Sequence, residues 1–276
     1  MMNKLQILPF LLCFIFFNCE KVVDIDVPTS TPKLVIDASF EVYFDENPVT
    51  ANTTVKLRLS TDYFSNTIPT VTNAMVYLTN LNNNSVINFN DNNLDGNYEP
   101  NTAFIPQENI DYELTVIYNN ETYKGSATRI KSSPFTNVKQ GDETLFSGEE
   151  TEVEVDFNDD VNEENYYLFD FTNNIFLAIE DRFFNGSSYN FSYFYQEDEI
   201  DLPANVTLKM SGISKEYYTY FRVLIDQSGQ NAGGPFETVP SSLLGNMVNT
   251  SNEANFPLGY FHISETDTFN LTLTKN

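Results

Sequence analysis

From Val55 to Ser60 the chain reads Val-Lys-Leu-Arg-Leu-Ser, apolar and polar in strict turn. A period of two puts every apolar side chain on one face of an extended segment, as a half-buried antiparallel strand requires. The same alternation governs Leu34 to Phe40, Ala74 to Thr79, Ser85 to Phe89, Tyr112 to Tyr118 and Thr122 to Thr128, with Asn, Asp, Gly and Pro between the runs. Asn119-Asn120 reads as a two-residue hairpin turn, because Asn tolerates the positive φ that such a turn needs. Short alternating strands with frequent turns predict a mainly β fold, and residues 33–131 read as an immunoglobulin-like β-sandwich.

The stretch Lys131 to Glu150 carries Pro134, Gly141, Gly148 and clustered acids, and reads as a domain junction. A second β-rich domain is expected over residues 132–276. Its strands show in Val153, Val155 and Phe157, in Tyr167, Phe169 and Phe171, in Val206, Leu208 and Met210, and in Phe269, Leu271 and Leu273. One segment has a different period. Tyr217, Phe221, Leu224 and Ile225 share a helical stripe, Ser214 suits the N-cap, and Ile213 and Tyr218 stand at staple spacing. With Gly229 to end it in the left-handed conformation, the pattern predicts one amphipathic helix over about 214–228, its stripe packed on a sheet.

The first residues break from all of this. Lys4 precedes an apolar run from Ile7 to Phe17 that contains Pro9. A membrane-spanning helix needs roughly twenty apolar residues, so the run is too short to cross. Residues 1–18 read instead as a lipoprotein signal peptide, with Cys19 as the lipidation site and residues 19–32 as a tether bearing Pro28 and Pro32. Phe16, Phe17 and Asn18 stand where such signals carry small residues, so Cys13 as the acylated residue and an ordinary secretory signal stay open as alternatives. The chain has two cysteines. With Cys13 removed and Cys19 acylated, no thiol is left for a disulfide, and stability has to come from a core for which 14% aromatic residues supply the mass.

A formal net charge of −25 argues against nucleic-acid binding, which depends on Lys and Arg neutralising phosphates. It also repels an anionic lipid surface, leaving the lipid anchor as the only membrane contact. Solubility explains such a charge, and a cationic ligand or partner is compatible with it.

Catalytic machinery is sparse. His262 is the only histidine, in the strand-like context Gly259-Tyr260-Phe261-His262-Ile263, so a Ser-His-Asp relay has no other base to draw on. No nucleophile elbow, phosphate loop or dinucleotide fingerprint appears, and no cofactor is expected. Carboxylates are plentiful, yet nothing singles out a pair for glycoside hydrolysis. Asp156 to Glu164 and Asp91 to Gly96 are rich in oxygen ligands but lack the glycine and bidentate glutamate of a calcium loop, and read as solvated strand ends rather than a metal site. The expectation is a protein that is not an enzyme.

The most suggestive surface is aromatic. Asn185-Gly186 signals a hairpin, and a two-residue turn there pairs Arg182 with Tyr189 and Glu180 with Phe191. One face then carries Arg182 beside Tyr189, Phe191, Tyr193 and Tyr195, a candidate surface for a ligand or partner. The alternative is a sandwich core edge with Arg182 stacked on a ring at its rim, and a three-residue turn would reverse the register.

Several stretches taken together resemble a known family: Cys19 to Asp26, Leu34-Val35-Ile36-Asp37, Ala74 to Leu78, Gly96-Asn97-Tyr98, Asn165-Tyr166-Tyr167, Ile213 to Tyr220 and Leu258 to Phe261. That family is domain of unknown function 4249, of Bacteroidota outer-membrane lipoproteins, and the resemblance covers nearly all of the chain after Cys19. It implies an outer-membrane location and the company of TonB-dependent receptors, and it supplies no catalytic residues. On that basis the expectation is a lipid-anchored accessory or binding protein acting with such a receptor in nutrient uptake, facing either the periplasm or the outside. A surface adhesin or structural lipoprotein is the alternative.

Overall fold

The computed structural model describes residues 31–62, 65–145, 147–228 and 243–275. The fold is mainly β, 49% strand and 7% helical. In chain order the strands are β1 (Leu34–Tyr43), β2 (Thr50–Asn52), β3 (Val55–Leu59), β4 (Met75–Asn80), β5 (Val86–Asn90), β6 (Asn97–Pro100), β7 (Asp111–Tyr118), β8 (Glu121–Ile130), β9 (Phe135–Gln140), β10 (Thr151–Asn158), β11 (Tyr166–Asp170), β12 (Phe176–Glu180), β13 (Ser188–Tyr195) and β14 (Ala204–Gly212). The helix α1 (Lys215–Ser228) follows, and then β15 (Val248–Asn249) and β16 (Leu258–Leu273).

The alternating runs do form strands, and their inward faces make the first core. Leu34, Ile36, Ala38, Phe40 and Val42 of β1 are all buried, while the residues between them are half-buried on the opposite face. Val55 and Leu57, Val76 and Leu78, Leu114 and Val116, and Phe261 and Ile263 meet them. Asn119 and Asn120 take φ of 50° and 62°, as the β7–β8 hairpin demands.

The strands around this core form a closed circuit. The path β16-β1-β3-β6-β5-β4-β7-β8 returns to β16 through a short parallel pairing of Ile263 with Arg129 and Ser264 with Ile130. Closure leaves no long unpaired edge around the first core. The strand that completes it comes from the far end of the chain: β16 runs parallel to β1 from Val35 beside Leu258 to Tyr43 beside Thr266. Gly259 makes that approach possible, because its φ is +93° and a Cβ there would sit 2.1 Å from the Ile36 carbonyl oxygen.

Past Thr266 the same strand leaves the ring. Its second half pairs with β14, and the sheet continues through β11 to β12. A three-stranded sheet, β13-β10-β9, covers one face of this extension. Between them lies the second core, with Val153, Val155, Phe157, Tyr167, Phe169, Phe171, Tyr195, Val206, Leu208 and Met210. A break at residues 131/132 therefore does not divide the large sheet, because β16 belongs to both halves. The junction expected over Lys131 to Glu150 also contains β9, which pairs with β10. Its Asn, Lys and Gln residues hide the alternation that would have marked it as a strand.

Odd-numbered residues of β16 link the two cores. Phe261 and Ile263 face the first, and Phe269, Leu271 and Leu273 face the second. Glu265 and Asp267 lie between them, both buried. Their carboxylates hold the chain that crosses from β8 to β9. The Arg129 guanidinium is 2.8 Å from Glu265, with those side chains 11% and 8% exposed, and the Ser132 amide donates to Glu265 at 3.2 Å. The Phe135 amide donates to Asp267 at 2.7 Å. Buried carboxylates are tolerated when charge and hydrogen bonds answer them, and here they fasten an irregular segment whose amides have no ladder to join.

The helix forms where the sequence placed it. Ser214 Oγ accepts from the Tyr217 amide at 3.2 Å, and Tyr217, Tyr218, Phe221 and Ile225 are buried. Leu224, expected on the stripe, is 39% exposed. The helix lies on the back of the extension, against Tyr166 and Leu168 of β11. Gly229 lies outside the described residues.

Candidate functional site

The expected aromatic hairpin does not form, and this corrects the sequence reading. β12 pairs with β11 and β13 pairs with β10, so the two strands belong to opposite sheets and Arg182 does not face Tyr189. Between them Asp181 is buried in a short 3₁₀ turn, accepting from the Asn165 amide at 2.8 Å, while Gly186 takes φ +70° and donates to Asp159 at 2.8 Å. A seven-residue passage between sheets has replaced a two-residue turn.

The rings are consequently spent on the second core. Tyr189 stacks on Phe184 at 4.0 Å, Phe191 meets Phe169 edge to face at 5.1 Å, and Tyr193 stacks on Phe171 at 4.3 Å. Tyr195 is fully buried and its hydroxyl donates to the Phe171 carbonyl at 2.5 Å. Arg182 is exposed, its guanidinium 5.5 Å from the ring of its neighbour Phe183. Cys19 lies outside the described residues.

The oxygen-rich turns also have protein partners. Asp91 accepts from the amides of Asp95 and Gly96, at 3.1 and 2.8 Å. Asp159 accepts from the Tyr167 hydroxyl at 2.7 Å, and burial raises its pKa. Among the described residues no three His, Cys, Asp or Glu side chains are grouped to hold a metal ion.

A different place brings polar groups together around open space. β8 and β16 touch at only two residue pairs and splay apart beyond them. The side chain of Asn246 bridges the gap. Its amide nitrogen donates to the carbonyls of Ser126 and Phe261, at 3.1 and 2.7 Å, and its oxygen accepts from the Phe261 amide at 2.8 Å. It thus substitutes for a missing strand residue. In front of it the first turn of α1 overhangs the even-numbered face of β16, leaving a cleft of about 350 Å³. Asp111, Thr128, Ser214, Glu216, Tyr260 and His262 are among its lining.

His262 forms its inner wall. The ring stacks on Tyr217 with centroids 4.0 Å apart and planes 23° apart, and Nδ1 is 3.1 Å from Ser264 Oγ. Burial is the main cause that pushes its pKa down to about 4, with Asp37 and Glu41 opposing, so the imidazole is neutral at pH 7. The histidine and serine share a strand face two residues apart, which resembles half of a catalytic relay. The Ser264 side chain, however, has no exposed surface. A nucleophile has to reach a substrate carbon, and this hydroxyl does not.

The outer rim is acidic. Asp111 accepts from the Thr128 hydroxyl at 2.5 Å. Glu216 is exposed in the first helical turn. Burial raises the pKa of Tyr260, which stays a neutral phenol. The arrangement presents hydrogen-bond acceptors to a small polar molecule. Sequence reasoning singled out His262 but missed Asp111, Asn246 and Glu216. They come from β7, from the loop before β15 and from α1, and no local pattern joins such distant positions.

Among curated proteins, none matches this sequence. Among solved structures, a DUF4785 family protein from Legionella pneumophila subsp. pneumophila str. Philadelphia 1 is similar over 65% of this chain, at 14% identity and a TM-score of 0.23. The match spans 52% of that protein's chain, about half its length, and at that score it carries no argument about this one. The family model described as Domain of unknown function (DUF4249) matches residues 20–270, almost everything from the segment after Cys19 through most of β16. The chain belongs to that family.

Proposed function

We propose that this is a lipid-anchored, non-enzymatic accessory or binding protein of the outer membrane, acting with a TonB-dependent receptor in nutrient uptake. The observation that carries the non-enzymatic part is the use of the only histidine: it is neutral, stacked and bonded to a serine that no substrate reaches. An acidic cleft whose histidine is bonded to a buried serine supports binding over turnover. What supports the membrane part is the reading of residues 1–18 as a lipoprotein signal before Cys19, and the resemblance to Bacteroidota lipoproteins. Among the described residues no helix is long and apolar enough to cross a membrane.

Mild detergent extraction of outer membranes carrying the tagged, lipidated chain should co-purify a TonB-dependent β-barrel. Extraction that recovers the chain without any such receptor counts against the reading. Cys19→Ser should release the protein from the membrane fraction. A second reading, a surface adhesin, is favoured by the tip at Phe183, which is 89% exposed on a turn pinned by the buried Asp181. An aromatic displayed in solvent suits macromolecular contact. Cell or matrix binding that survives deletion of every receptor and is lost in Phe183→Ser would favour it.

A further inference from the structure

We infer that the cleft between β8, β16 and the first turn of α1 binds a small organic amine. The inference rests on the reading of the chain as a binding protein, and adds the chemical class of what it binds. Three features support it: the size of the cleft, an unpaired ring nitrogen beside it, and carboxylates that favour positive charge. The first is shape: the splay of β8 from β16, propped by Asn246, leaves about 350 Å³, which suits a molecule of amino-sugar or diamine size.

The second is His262. It is only 9% exposed, yet Nδ1 alone of its two ring nitrogens has a hydrogen-bond partner among the described residues. Nε2 is not among the sealed, unpartnered atoms, which are Thr115 Oγ1 and Arg129 Nε. Since the ring lines the cleft, this nitrogen is left to bond whatever polar atom enters there.

The third is the charge of the rim. Asp111 and Glu216 are both exposed and approach from different elements, β7 and α1. The Thr128 hydroxyl binds one Asp111 oxygen, leaving the other to accept from a ligand. Ionised carboxylates only accept hydrogen bonds, which matches an ammonium and repels a carboxylate or phosphate. Tyr260, its ring packed against Tyr217 and Tyr220, lines the same cleft. The net charge of −25 raises the local concentration of any cation near the mouth.

Isothermal titration of the full lipidated chain in detergent, with putrescine and glucosamine as probes and glucose and acetate as neutral and anionic controls, tests this. The two amines should bind and the controls should not. Asp111→Asn together with Glu216→Gln, both at exposed positions that leave the fold intact, should weaken amine binding at least tenfold. At pH 7 the imidazole signals of His262 should shift on amine addition. Glucose binding as tightly as glucosamine, amine affinity unchanged in the double variant, or no amine binding at all would each overturn the inference. Receptor capture by the double variant keeps the two readings apart. Capture retained without amine binding is a failure of this cleft alone, and capture lost in the unaltered chain is a failure of the receptor reading.

Discussion

The ring around the first core and the open sandwich that extends from it use the same alternating strands, yet they treat their edges differently. The ring closes on itself through β16 and β8. The extension ends in edge strands, β12 on one sheet and β13 and β9 on the other, and of these β12 and β13 carry no lysine or proline to blunt the edge. Closure in the first region depends on a strand lent from the end of the chain, and the second region depends on the same strand. The ring is thus no more independent than the open part, because β16 ties the two cores into one body.

The largest expected effect tests that tie. Phe261→Ala in the first core and Phe169→Ala in the second should each cost about 3–5 kcal/mol, since both rings are almost wholly buried. Urea unfolding followed by circular dichroism and by tyrosine fluorescence should show one transition in both variants. Two separated transitions would mean that the cores unfold apart and that β16 does not couple them.

Next comes the seam. Glu265→Gln leaves the Arg129 guanidinium buried without its counter-charge, and should cost about 3 kcal/mol. A loss under 1 kcal/mol would show that the crossing segment holds without the carboxylate, and the two regions would then be joined by β16 alone.

The back of the shared strand gives a smaller, pH-dependent effect. The folded pKa of His262 is pushed down to about 4 from its ordinary 6.5, so the unfolded chain binds the proton more readily. Stability from this residue is complete above pH 6.5 and is lost as pH falls toward 4. In His262→Gln that part of the pH slope should flatten. An unchanged slope would show that the imidazole takes up its proton as readily inside the fold as in the unfolded chain.

The smallest effect is confined to the ring's rim. Glu121 accepts from the Tyr123 hydroxyl and from the side-chain amides of Asn249, Asn252 and Asn255, bonds that hold its pKa down to about 2. The loop they fasten should be protected from hydrogen exchange above pH 4.5 and lose protection as pH falls toward 2. In Glu121→Gln the loop amides should exchange faster at neutral pH with the global transition unmoved. Exchange that stays slow in the variant would assign the loop's order to its backbone instead.

Strands that carry their own pattern were legible. β1, β4, β7 and β8 carry apolar residues in alternation, and α1 shows a stripe with a capping serine, so residue type alone fixed the period, while strand ends such as that of β1 at Tyr43 rather than Phe40 were set by pairing. β9 was missed because Phe135-Thr-Asn-Val-Lys-Gln is mostly polar and lies at the outside of its sheet. The hairpin at Asn185-Gly186 failed for another reason. Its turn signal was real, and Gly186 does take a positive φ, but Asp159 and Asp181 hold the passage at both ends and send β13 to β10. The cleft was the least legible feature, since three elements far apart in sequence make it.

By itself the sequence determined the periods: strands where apolar side chains alternate, one helix where they recur each turn, and a charge hostile to nucleic acid. Those follow from local geometry, because an apolar face must be turned away from water wherever the chain runs. Only the tertiary structure decided which strands are neighbours. Partner choice is settled by packing between distant faces, and a strand of β16's length meets one core at its start and another at its end. The same nonlocal packing made a wall of His262 and an interior of Tyr189, Phe191, Tyr193 and Tyr195.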